Sequence, residues 1–132
     1  MGLQFVAFNH LTIASPKKLK PQMKDFYERI MGFREIEHPH SLNSQYDVIW
    51  YDRAGFRVHI DYRDTIQKVG LERHFAIQIK DLKGARAFFM QEGVPIREDV
   101  EVPYCDRFDI MDPAGNYIEV LELKKPAVSN SV

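Results

Sequence analysis

Cysteine is almost missing from this chain: Cys105 stands alone among 132 residues, so no disulfide can form within it, and the usage suits a reducing compartment. Long apolar runs are missing too. Nothing approaches the roughly 18 consecutive residues of a membrane-spanning helix, and Met1-Gly2-Leu3 opens no secretory signal. Val6 stands where a myristoylation pattern needs serine or threonine. Charge of one sign is absent as well, since 18 Lys and Arg against 19 Asp and Glu leave a net charge of −1. That balance offers no basic face to nucleic acid or to an anionic membrane. These absences predict a cytoplasmic protein with neither kind of partner. The 45% hydrophobic and 28% charged residues describe an ordinary globular chain with one domain's worth of core.

What is there is a hairpin used twice. Asp106 to Met111 runs into Asp112-Pro113-Ala114-Gly115 and out through Asn116 to Leu121. Asp-Pro-Ala-Gly suits a type I turn, with Asp accepting first, Pro presetting φ second and Gly fourth. Sixty residues earlier, Tyr46 to Tyr51 runs into Asp52-Arg53-Ala54-Gly55 and out through Phe56 to Ile60. At that offset His59 occupies the place of Glu119.

The rest of the chain repeats around these hairpins. A first strand is expected over Phe5 to Ala14, stopped by Ser15-Pro16. A helix follows from about Pro21, with Met23, Phe26, Tyr27 and Ile30 as its apolar face and Gly32 at its end. Phe33 to Glu37 reads as a short strand and His38 to Ser44 as a loop. Arg63 to Glu72 is a polar connector. Then His74 to Lys80 alternates as a strand. Asp81 can cap a helix with Leu82, Ala85, Phe88 and Phe89 as its stripe and Gly93 as its stop, and Val94 to Glu101 is a further strand. Each half is therefore β-α-β-β-β. The modules span about residues 5–62 and 73–123 of a single 132-residue domain, with a disordered tail over 126–132.

Overlaying the halves aligns His10-Leu11-Thr12-Ile13 with His74-Phe75-Ala76-Ile77. The apolar neighbours Leu11, Val58, Ile60, Phe75, Ile118 and Val120 must pack under the helices. Alternation then turns His10, His59, His74 and Glu119 to the opposite face. If each sheet curls, that face is a concave lining on which the four side chains converge. Three imidazoles and a carboxylate suit Zn, Ni, Co, Mn or Fe, and poorly match Ca²⁺. Singly, each histidine is better read as a hydrogen-bonded structural residue; at matched positions they read as ligands. Alternation also offers Arg57, Asp61, Arg107, Asp109, Tyr51, Thr12 and Gln78 to the same face. Among these Arg107, Tyr51, Asp109 and Arg57 are the expected substrate contacts. Arg107 suits a carboxylate or phosphate, and equally an ion pair with Asp47 or Asp109. Tyr104 is placed at the rim, Cys105 is a bystander, and His38 and His40 are solvated loop residues.

Asn9-His10-Leu11-Thr12-Ile13, Asp25-Phe26-Tyr27 before Met31-Gly32-Phe33, His74-Phe75-Ala76-Ile77, and Asp112-Pro113-Ala114-Gly115-Asn116-Tyr117-Ile118-Glu119 together resemble the vicinal-oxygen-chelate superfamily. This is the glyoxalase/bleomycin-resistance/dioxygenase superfamily, and the likeness runs from Phe5 to Leu123. It implies an α+β fold of two βαβββ modules whose curved mixed sheets form a cup around a divalent metal ion. The ligands would be His10, His59, His74 and Glu119, and similar proteins dimerise, so a homodimer is expected. His59 departs from the glutamate that glyoxalase-like members carry there, and from the glutamine of epimerase-like ones.

The resemblance implies a small-molecule substrate with vicinal oxygens, an enolate or oxyanion stabilised by the metal, and Glu119 as catalytic base. A glyoxalase-like lyase or isomerase is the leading expectation. An Fe(II) ring-cleaving dioxygenase is the alternative, disfavoured by a fourth ligand and by chain length. A metal-free binding or resistance protein comes third, since such members typically lack the ligands. No potassium-loop signature supports a fosfomycin-modifying transferase.

Overall fold

The computed structural model describes residues 2–42 and 47–125. The expected tail, and Tyr46 at the head of the first hairpin, lie outside them. The chain divides into two compact units, Met1–Ile66 and Gln67–Val132.

In the first unit, β1 (Leu11–Pro16) leads into a helical run. It comprises a single 3₁₀ turn (Lys17–Leu19), α1 (Lys20–Lys24) and a π-helical turn (Asp25–Ile30). Pro21 sits in the first turn of α1, where its missing N–H costs nothing. After Gly32 come β2 (Arg34–Ile36), a short turn of helix (His40–Leu42), β3 (Asp47–Arg53) and β4 (Phe56–Arg63). The strands assemble in the order β1-β4-β3-β2, with β1 parallel to β4 and the other pairs antiparallel. The second unit repeats this plan with β5 (His74–Gln78), α2 (Leu82–Gln91), β6 (Ile96–Glu98), β7 (Cys105–Met111) and β8 (Tyr117–Leu123), ordered β5-β8-β7-β6. Two βαβββ modules in an α+β fold are thus present. Asp81 caps α2 by accepting from the Gly84 N–H.

One face of each sheet is spent on packing. Met23, Phe26 and Tyr27 from the first helical run bury against Ile49, Tyr51, Val58 and Ile60, with the Tyr27 and Tyr51 rings 6.0 Å apart. In the second unit Leu82 and Phe89 bury against Phe108, Ile110, Ile118 and Val120, with Phe89 edge-on to Phe108. Fully burying side chains of this size contributes about 1.5–3 kcal/mol each.

Several boundaries differ from the sequence reading. The first strand begins at Leu11, not Phe5, because its partner β4 begins at Phe56: Leu11 already pairs with Val58 and little strand remains beyond it. Pro16 ends β1 inside the ladder, tolerated because β1 is an edge strand. The second strand of that half is shorter than expected, as is β6. Phe88 is 41% exposed instead of belonging to the apolar stripe.

The two hairpins are not copies. Arg53 pairs with Phe56, leaving a two-residue loop in which Ala54 and Gly55 have φ of 52° and 83°. Positive φ at both places is the I′ geometry that matches strand twist. In the second hairpin Met111 pairs with Tyr117 across a five-residue loop, where the Gly115 N–H donates to the Asp112 carbonyl as in a type I turn. The Asp112 carboxylate is buried and accepts from the Ala114 and Asn116 N–H groups and the Asn116 side-chain amide, each at 2.9 Å. Among the described residues, the charged partner seen beside Asp52 is Arg57, at 3.6 Å. Asp112→Ala is therefore expected to destabilise the protein by about 3 kcal/mol and Asp52→Ala by less than about 1 kcal/mol, as read from urea unfolding.

Candidate functional site

In the first unit β4 carries His59 between Val58 and Ile60, both wholly buried on the helix side, so its imidazole emerges on the other face. It stands across from Trp50 on β3 and beside Thr12 on β1. The Trp50 ring stacks on His59 with centroids 3.9 Å apart and planes within 4°. His10, just ahead of β1, stacks on the opposite face at 3.8 Å and 18°. His59 is thus covered above and below by aromatic rings. Burial, then His10 and Arg57, push its pKa down to about 4, partly opposed by Asp61. The imidazole is neutral at ordinary pH, the form that can donate a lone pair to a metal.

In the second unit β8 carries Glu119 between the buried Ile118 and Val120, beside Ala76 on β5. The pairing Ala76↔Glu119 repeats Thr12↔His59, so the two ladders present one polar residue each at the same step. His74, at the start of β5, places Nε2 3.2 Å from Glu119 Oε1. Its Nδ1 lies 2.7 Å from the Leu71 carbonyl, which can only accept, so Nδ1 carries the proton. That bond, with Glu119, raises the His74 pKa against a smaller effect of burial. In the neutral ring Nε2 is then an unprotonated acceptor facing a carboxylate oxygen.

Arg107 joins this second cluster. Its guanidinium donates to Glu119 Oε2 at 3.4 Å and to the Val100 carbonyl, and lies 3.7 Å from Asp99. Within this unit the Arg107–Asp109 ion pair, the alternative read from sequence, does not form, because Asp109 accepts from Arg97. Asp109 is buried directly across from Glu119, with its pKa raised by burial and by Asp99. Arg57 and Asp61 share the His59 face and pair with Asp52 and Arg63.

Tyr51 does not join them. It pairs with Val58, is wholly buried, and donates its hydroxyl to Glu28 on the helix side. The loop lengths explain this. The two-residue loop pairs odd residues of β3 with even ones of β4, whereas the five-residue loop pairs odd with odd, as in Asp109↔Glu119. Thr12 and Gln78 are exposed strand residues, and His40 lies exposed on its short helix. Cys105 is buried, and burial raises its thiol pKa, as suits a bystander. Sequence reasoning passes over Trp50. Its signal is nevertheless present: it sits on the His59 face once the two-residue loop is recognised.

Among the described residues, neither unit by itself gathers three His, Cys, Asp or Glu side chains as a metal site. The donors present nevertheless fit a divalent ion. Two acceptors 3.2 Å apart, His74 Nε2 and Glu119 Oε1, need a proton or a cation between them. Their separation is also that of neighbouring ligands at roughly 2.1 Å from one ion. In the first unit the stacked rings hold their lone pairs in nearly parallel planes. His10, exposed and outside the ladder, must turn before it and His59 can share an ion.

The depressed His59 pKa has a consequence for stability. The unfolded chain takes up a proton near pH 6.5 and the folded protein only near pH 4. Stability from the neutral imidazole is thus present above pH 6.5 and lost as pH falls towards 4. Metal-free wild type is expected to lose more stability over that window than His59→Gln, compared by urea midpoints at matched pH.

A sequence comparison with curated proteins yields no match. Solved structures share the fold. One described as a glyoxalase family protein from Bacillus anthracis superposes with TM-score 0.83 at 23% identity, covering 94% of this chain and all of that one. A mutant of FosX, the fosfomycin resistance protein of Listeria monocytogenes, complexed with Mn(II) and 1S,2S-dihydroxypropylphosphonic acid, gives 0.71 at 16% identity, covering 89% and 90%. TnmS3, an antibiotic-binding protein from a Streptomyces species, gives 0.66 at 15%, covering 93% and 100%. The family model for the Glyoxalase/Bleomycin resistance protein/Dioxygenase superfamily matches residues 8–120. With its paired βαβββ units and that match over most of its length, the chain belongs to this superfamily.

Proposed function

We propose that the protein is a metal-dependent lyase or isomerase of the glyoxalase type, acting as a homodimer on a small substrate with two adjacent oxygens. The observation that carries this reading is the shared register, with His59 and Glu119 at the same step of matching ladders, each beside a histidine at the head of the neighbouring strand. His10, His59, His74 and Glu119 would hold the ion. A bound divalent ion, such as the Mn(II) of the FosX complex, would supply Lewis-acid stabilisation of negative charge on the substrate oxygens.

The chain's own groups supply the rest. The Leu71 carbonyl fixes the His74 tautomer, which keeps Nε2 free for ligation. Arg107 holds one Glu119 oxygen and offers a fixed cation beside it, placed to orient an anionic substrate group. Glu119 is the candidate base, and its departure from Arg107 would free a carboxylate oxygen to take a proton. Asp109 and Arg57 flank these residues on the same two faces.

A second reading has an observation in its favour. The Trp50–His59–His10 stack is an aromatic cluster on the helix-free face of its sheet, and TnmS3 is a similar fold that binds an antibiotic. One measurement separates the two. Protein purified without chelators is expected to carry close to one divalent ion per chain, falling at least about tenfold in His59→Ala and in Glu119→Ala. Elemental analysis that finds the same content in wild type and both variants sinks the metal reading and leaves the binding one.

A further inference from the structure

We infer that Trp50 is a positioning residue for His59, setting the direction in which that imidazole offers its lone pair. The inference rests on the metal reading above and goes beyond it, because Trp50 matches no ligand type. An imidazole nitrogen donates in the plane of its ring, so whatever fixes the plane fixes the direction of donation. His59 lies within 4° of parallel to Trp50, with the ring centroids 3.9 Å apart. The contact is built into the sheet. Trp50 and His59 are directly opposed across β3 and β4, and Trp50 is held from its other side by pairing with Ile36 on β2. His10 covers the second face but comes from an exposed segment outside the ladder, so its contact is the one that can be given up. Trp50 stays, and with it the ring plane. The usual device for orienting a ligating histidine is a hydrogen bond to its other nitrogen, as Leu71 provides for His74. Among the described residues no such bond is seen for His59, and the indole face takes that role.

Full-length protein stripped of metal is titrated with Zn²⁺ and followed by calorimetry. Trp50→Leu is expected to bind about 10- to 100-fold more weakly than wild type, while Trp50→Phe, which keeps a planar ring, recovers most of the affinity. Proton NMR of the metal-free protein reports the stack itself. One imidazole resonance, assigned by its loss in His59→Gln, is expected well upfield of the free-histidine position in wild type and Trp50→Phe, and much less so in Trp50→Leu, where only the His10 ring still covers it. An unshifted His59 resonance in wild type overturns the inference whether or not the leucine variant folds. Equal Zn²⁺ affinity in wild type and Trp50→Leu overturns it while leaving the metal reading intact. Wild type that takes up no Zn²⁺ overturns both.

Discussion

The placement of His59 and Glu119 follows from the use made of one face of each four-stranded sheet. A strand has two faces, and residues i and i+2 share one. Once Val58 and Ile60 are committed to the helix side of the first unit, and Ile118 and Val120 to that of the second, His59 and Glu119 have nowhere to point but the opposite face. Slipping either strand by one residue would bury a charged or polar group under a helix and expose an apolar pair, at a cost of several kcal/mol. The packing that holds the fold is thus also what presents the candidate ligands.

That constraint acts alike in both units, but the chemistry around the two residues differs. His59 is held by aromatic faces and is neutral, its charge opposed by burial and by neighbouring His10 and Arg57. Glu119 is held by charge, between an imidazole and a guanidinium. The parallel ladders match in register, but they present unlike donors at the matched step, one a planar imidazole and one an anionic carboxylate. The same divergence shows in the turns. Asp112 is the hub of three hydrogen bonds, two of them buried, whereas Asp52, at the matching place, lies beside Arg57.

Much of this is legible in the sequence alone. Alternation in β4 and β8, helix ends at Gly32 and Gly93, and the cap at Asp81 follow from side-chain period and backbone sterics, which act over a few residues. Tyr51 is not legible in the same way. Its face depends on whether two or five residues close the hairpin, and the shared Asp-x-Ala-Gly spelling hides that difference. His10 presents a similar case. The sequence runs on in a strand-like pattern from Phe5, but the strand can extend only as far as β4 offers a partner.

By itself, the sequence determined the repeat, the class of fold and the superfamily, and it nominated three histidines and a glutamate as candidate ligands. These depend on local period and residue type. Only the tertiary structure decided that Trp50 lies flat on His59, that Arg107 reaches Glu119 in place of Asp109, and that Tyr51 belongs to the core. Those outcomes hang on which residues face each other across strands. That register is set by loop length and by the partner available, neither of which one strand's own sequence contains.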